Sequence, residues 1–196
     1  MLEGVPLLID ALAFAAHKHR DQRRKNVAAS PYINHPIALA HVLVSEGQVE
    51  EVPVLCAAIL HDTVEDTQTT LDEIAQNFGV GIASVVGEVT DDKSIPKSRR
   101  KALQVEHAPR LSREAKLVKL ADKICNVRDV GMDPPATWPT ERRIEYFEWC
   151  KRVIDGLRGV HPGLEAKFDE AYRQGLQLVR KGSSSASSSA GTSSAM

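Results

Sequence analysis

The run Val54-Leu55-Cys56-Ala57-Ala58-Ile59-Leu60 leads straight into His61-Asp62-Thr63-Val64-Glu65-Asp66. Residues that are apolar on almost every side of a helix predict an element at the centre of a domain. The abrupt change to ionisable groups predicts that this element carries polar chemistry on a stiff support. Read as continuous helix at 3.6 residues per turn, Glu65 lies four positions past His61 and Asp66 four past Asp62, so the four side chains share one broad face. His61 and Asp62 suit the holding of one ion, which leaves Glu65 and Asp66 to handle water and protons. His35, just ahead of Pro36, and Asp122, one helical turn before Asn126, complete a candidate divalent-metal set.

A His-Asp pair alone is a weak signal, because exposed helix ends often carry both residue types. The whole set is stronger, since ionisable groups at the ends of apolar helices cost stability unless paired or metal-bound. Two imidazoles and two carboxylates suit Mn, Fe or Zn, and an oxygen share with open positions favours catalysis over a closed structural site. The other histidines, His17, His19, His41, His107 and His161, lack a carboxylate at useful spacing and read as surface or satisfied, partly buried side chains.

Outward from this stretch, nearly every segment has helical periodicity and no alternating β-branched run is convincing, so the fold class is all-α. Leu7, Leu8, Leu12 and Ala15 mark the inner face of a first helix that ends near Arg20. Pro36 suits the first position of the next helix, which makes His35 its cap. Thr70 with Glu73 forms a capping box for a helix through Ile74 and Phe78, stopped by Gly79. A piece from Ile82 to Val89, a basic helix opened by Pro96, and a helix from Glu114 to Val130 stopped by Gly131 follow. Two long helices, 141–157 and 164–180, close the bundle. One domain over residues 1–181 is expected. The Ser/Ala/Gly tail, 182–196, cannot bury enough apolar area to offset the entropy of ordering and reads as disordered.

Composition narrows the function. The chain has 196 residues, 25 Lys plus Arg against 26 Asp plus Glu, and a formal net charge of −1. Nothing global draws it to nucleic acid or an acidic membrane. The basic 97–101 helix lacks the interleaved aromatics of a nucleic-acid surface. Three scattered cysteines, Cys56, Cys125 and Cys150, fit neither a disulfide framework nor a zinc knot and suggest a reducing, cytoplasmic setting. The apolar stretch from Val5 to Ala16 is too short for a bilayer span and lacks export features. Oligomeric state is left open.

Three runs carry a resemblance: Tyr32-Ile33-Asn34-His35-Pro36, Leu60-His61-Asp62-Thr63-Val64-Glu65-Asp66, and Val118-Lys119-Leu120-Ala121-Asp122-Lys123 with Asn126. Together they resemble the HD-type hydrolase domain of the RelA/SpoT family. With no synthetase domain following, the chain looks like the stand-alone small alarmone hydrolases, in particular their metazoan members. Thr90-Asp91-Asp92-Lys93 and Glu145-Tyr146-Phe147-Glu148-Trp149 support the narrower likeness. The resemblance implies an HD-domain helical bundle with one manganese ion held by His35, His61, Asp62 and Asp122. It implies Glu65 and Asp66 as the catalytic pair that positions and deprotonates water. Arg24, Lys25, Lys97, Asn126, Arg142 and Tyr146 are then the substrate-binding residues. The implied reaction removes the 3′-pyrophosphate of guanosine tetra- or pentaphosphate, leaving GDP or GTP. The alternatives are removal of the 2′-phosphate of NADPH, hydrolysis of another nucleotide, or a module that senses the nucleotide without cleaving it. Asp129 departs from the family pattern, and an acid there would repel phosphate unless turned away.

Overall fold

A computed structural model describes the backbone of residues 3–189 and the side chains of residues 3–181. Its axis is α3 (Val52–Leu60), in which every residue from Val54 to Leu60 is buried. Such a helix needs partners on all sides, and α1 (Gly4–Lys18), α2 (Asn34–His41), α6 (Val80–Val89) and α8 (Arg113–Met132) supply them. The small residues Ala11 and Ala15 on α1 are wholly buried, which lets that helix come close to α3, while Leu8 and Leu12 pack at the edge of the core. Opening at the capping residue Thr70, whose hydroxyl accepts from the Glu73 amide at 3.1 Å, α5 (Leu71–Phe78) ends at Gly79 with φ of 91°. The basic helix is α7 (Lys97–His107), and α9 (Thr140–Asp155) and α10 (Pro162–Ser189) form the outer layer over α8. Among the described residues no strand forms, only an isolated antiparallel bridge between Arg23 and Pro31. The all-α reading therefore holds.

Three local expectations are corrected. The helix does not run through His61 to Asp66: α3 ends at Leu60, Asp62 adopts φ −101° and ψ −2°, and a separate short helix, α4 (Thr63–Asp66), begins. The Thr63 hydroxyl bonds back to the Leu60 carbonyl at 2.7 Å, stabilising the break. His35 is not the cap but the second residue of α2, whose flanking residue is Ile33. The pyrrolidine of Pro36 needs no amide partner anywhere in the first turn, so the helix can begin earlier than the proline itself indicates.

Gly131 does not stop α8 either, which continues to Met132. Its lack of a side chain serves packing: a Cβ there would lie 3.0 Å from the Gly175 Cα on α10. The backbone of α10 is helical to Ser189, past Gly182 where the sequence suggests disorder. The expectation for residues 190–196 lies outside the described residues.

Candidate functional site

The break after α3 turns His61 inward. Its Nδ1 donates to the Ala58 carbonyl at 2.8 Å, which fixes the tautomer and leaves the Nε2 lone pair free. That Nε2 is buried without a hydrogen bond, although Asp62 Oδ2 lies 2.8 Å away. Two lone pairs at that distance repel each other unless a cation lies between or beside them. His35 reaches the same place from α2, its ring centroid 5.4 Å from that of His61. One donor atom from each of His35, His61 and Asp62 lies within 4.8 Å of the others, close enough for joint ligation of one ion. Asp122 approaches from α8, with Oδ1 3.2 Å from His35 Nε2.

The cluster is electrostatically prepared for charge. Burial alone would push the Asp122 carboxyl up, but Lys123 and the hydrogen bond from His35 hold it well below the usual carboxylate range. Lys123 Nζ donates to Asp122 Oδ2 at 2.8 Å and Asn126 Nδ2 to Oδ1 at 2.6 Å. Tyr32 donates its hydroxyl to Asp62. These partners aim the carboxylates as outer hydrogen bonds aim metal ligands generally. The donor set fits a divalent cation.

Glu65 lines a cleft of about 150 Å³ together with His35, His61, Asp62 and Asp122. One Glu65 oxygen accepts the Asp91 amide at 3.1 Å and the other faces Arg100 at 3.4 Å. Burial, reinforced by the negative charges of Asp62, Asp91 and Asp66, raises its pKa despite the amide bond. Asp66 stands beside the cleft, bonded to Gln22 at 2.8 Å and to Lys93.

The expected substrate residues divide into two groups. Arg24 and Asn126 line the cleft. Arg24 lies over the Tyr32 ring at 5.7 Å and pairs with Asp129, so the acid that departs from the family pattern is engaged by a cation. Lys25, Lys97, Arg142 and Tyr146 are not on the cleft wall but gather outside it. Burial and then the charges of Arg142 and Lys25 depress the Lys97 pKa. Arg142 stacks over Trp138 at 4.6 Å, and Tyr146 sits between Trp138 and Trp149, each ring 5.2 Å away.

Several site residues escaped sequence reasoning. Lys119 and Lys123 interrupt the buried stripe of α8 at Leu117, Leu120 and Ile124, a signal that could have marked them; both line the cleft. Gln22 and Gln104 carried no such signal. His19, expected at the surface or satisfied, is 2 % exposed with an unpartnered Nε2.

An HD-domain family model matches residues 11–145. The guanosine-3′,5′-bis(diphosphate) 3′-pyrophosphohydrolase MESH1 of Xenopus tropicalis is 50% identical over 179 residues, covering 91% of this chain and 100% of that protein. The MESH1 of Homo sapiens is 52% identical over 167 residues, covering 85% and 93%. A solved structure described as a metazoan ortholog of SpoT that hydrolyzes ppGpp and plays a role in starvation responses is similar with a TM-score of 0.85. It is 45% identical and covers 90% of this chain and 99% of that one. On these matches the chain belongs to the HD-domain family, in its RelA/SpoT-related branch together with the MESH1 proteins.

Proposed function

We propose that the chain is a metal-dependent hydrolase that removes the 3′-pyrophosphate of guanosine tetra- or pentaphosphate, with manganese as the ion. The observation that carries this reading is the meeting of His35, His61, Asp62 and Asp122 beside the half-buried carboxylate Glu65 in one cleft. Those four residues would hold the ion, which supplies Lewis acidity to water and to a phosphoryl oxygen. In the reaction a water oxygen bonds to the phosphorus next to the ribose 3′ oxygen, the P–O3′ bond breaks, and the 3′ hydroxyl and pyrophosphate result.

Glu65, its pKa raised, is a stronger base than an ordinary glutamate and would accept the water proton, with Asp66 as its partner on α4. Lys119 and Lys123 bring positive charge to the cleft wall, where phosphoryl oxygens carry the developing negative charge. The outer cluster of Lys25, Lys97 and Arg142 is mutually repulsive without an anion, which supports a second phosphate group away from the metal. Trp138, partly exposed and stacked with Arg142, supports an aromatic surface for a base beside it. Three free, buried cysteines support a reducing, cytoplasmic location. No helix among the described residues is long and apolar enough to cross a membrane.

The test is product analysis of the full chain under manganese with guanosine tetraphosphate, NADPH and deoxynucleoside triphosphates in parallel. Release of pyrophosphate and GDP from the first is expected. Turnover confined to NADPH or to the deoxynucleotides would move the assignment to another nucleotide. Tight binding of guanosine tetraphosphate without turnover would make the protein a sensor.

A further inference from the structure

The end of α1 carries a buried histidine that the proposed mechanism leaves unused. His19 follows the last residue of α1, is 2 % exposed, and stacks on Tyr32 with ring centroids 4.9 Å apart. Its Nδ1 lies 2.6 Å from Gln22 Oε1, and Gln22 Nε2 donates to Asp66 Oδ2 at 2.8 Å. An amide oxygen can only accept, so His19 Nδ1 is the protonated nitrogen. The reverse amide orientation would set an oxygen against the carboxylate, so both ends of the chain fix the same arrangement. The Gln22 backbone is held too: its amide donates to the His19 carbonyl at 3.0 Å and its carbonyl accepts from the Tyr32 amide at 3.1 Å.

We infer that His19 and Gln22 are positioning residues for the reaction, a directed chain His19→Gln22→Asp66 that aims one carboxylate oxygen of Asp66. Resting on the assignment of Asp66 to the catalytic pair, the inference extends the machinery to α1 and the loop after it. Three physical features favour it over simple core filling. A buried imidazole with one nitrogen unsatisfied is expensive for packing alone, and an apolar ring would fill the space without that penalty. Successive donors polarise one another, so the bond arriving at Asp66 is stronger than that of an isolated amide. Among the described residues Asp66 otherwise has only the Lys93 ammonium, half exposed at the end of a flexible stem, to set its rotamer.

The experiment uses the full chain, the variant Asp66→Asn, and the variants His19→Phe, His19→Asn and Gln22→Leu, each of these three alone and combined with Asp66→Asn. With guanosine tetraphosphate and manganese, His19→Phe and Gln22→Leu are expected to lower kcat about 10–100-fold, as loss of outer-shell partners does, with KM and bound manganese unchanged. His19→Asn, which keeps a donor near the Nδ1 position, recovers part of the loss. In the Asp66→Asn background, neither His19→Phe nor Gln22→Leu lowers kcat further. Full additivity with Asp66→Asn, or an unchanged kcat in folded His19→Phe and Gln22→Leu, overturns the inference. If His19→Phe does not fold, Gln22→Leu and His19→Asn decide it. No turnover by the unmodified chain defeats the functional reading itself, and wild-type turnover by Asp66→Asn defeats the role of Asp66; both differ from failure of the positioning chain.

Discussion

The middle and the C-terminal end of α8 have opposite chemistry in the same helix. Toward its middle, Asp122, Lys123 and Asn126 turn buried polar groups into a cleft in which the nearby His35 Nδ1 and His61 Nε2 remain without hydrogen bonds. Toward its C-terminal end, Val127 and Val130 are buried and Gly131 meets Gly175 so closely that an added Cβ would lie 3.0 Å from the opposing Cα. The middle presents polar groups to the cleft, and the end is closed by helix packing. The difference teaches that rigidity is supplied where function is absent, so that the groups at the cleft can stay underpaired without collapsing onto one another.

The largest test of that contrast is His61→Ala. It removes the lone pair held free by the Ala58 bond, and turnover is expected to fall to background with loss of bound metal by elemental analysis. Removing metal from the unmodified chain with a chelator should produce the same loss, restored by adding the ion back. Metal-loaded, active His61→Ala would break the assignment of the polar middle.

Next comes Glu65→Gln, with an expected kcat loss of about 10²–10⁴-fold, the usual range for a general base. In the metal-free chain burial raises the Glu65 pKa, and that direction fixes the sign of its effect on stability. A carboxyl that holds its proton more tightly when folded contributes stability at low pH and loses it as pH rises through the folded pKa. At neutral pH the Glu65 charge therefore opposes folding, and metal-free Glu65→Gln should melt at a higher temperature than metal-free wild type. A lower Tm would show that its hydrogen bonds outweigh burial.

At the packed end, Gly175→Ala is the sharper probe. Its Cβ would lie 2.5 Å from the Phe147 ring and 3.3 Å from the Val127 carbonyl. Overpacking of this kind typically destabilises by about 1–3 kcal/mol, measurable by urea unfolding. The turnover of the folded fraction should be retained, because the strain is taken up away from the cleft.

The smallest effect belongs to the pair between Glu46 and Arg128, two hydrogen bonds of 2.6 and 2.9 Å that tie the π-turn Val42–Glu46 to α8. The hydrogen bond from Arg128 holds the Glu46 carboxyl below its ordinary value. The sign is that of a depressed carboxylate: stability is present above the unfolded pKa and lost as pH falls through the folded one. Both side chains reach solvent, so Glu46→Gln should cost under about 1 kcal/mol near neutral pH, and less at high salt. Its effect should vanish in acid.

How far the sequence could be read depended on the kind of information each residue carries. The central position of α3 was legible because apolar residues on all its faces leave no alternative to burial. The Thr70 cap and the Gly79 stop were legible because their chemistry is local. The break after Leu60 was not, since nothing between His61 and Asp66 is a strong helix breaker; the turn is set by the Thr63 hydroxyl and by what His61 and Asp62 face. Gly131 misled because a glycine suits a helix stop and a close helix crossing equally well, and only the presence of Gly175 distinguishes them.

By itself the amino-acid order determined an all-helical domain and named the histidines and acids capable of holding a cation, because periodicity and donor chemistry are properties of residues and their spacing. Only the tertiary structure decided that His35, His61, Asp62 and Asp122 converge, that Asp129 turns to Arg24, and that His19 reaches Asp66 through Gln22. Those are contacts between elements far apart along the chain. Their geometry depends on how helices cross and on which polar groups burial leaves facing one another, and neither is encoded in any local pattern.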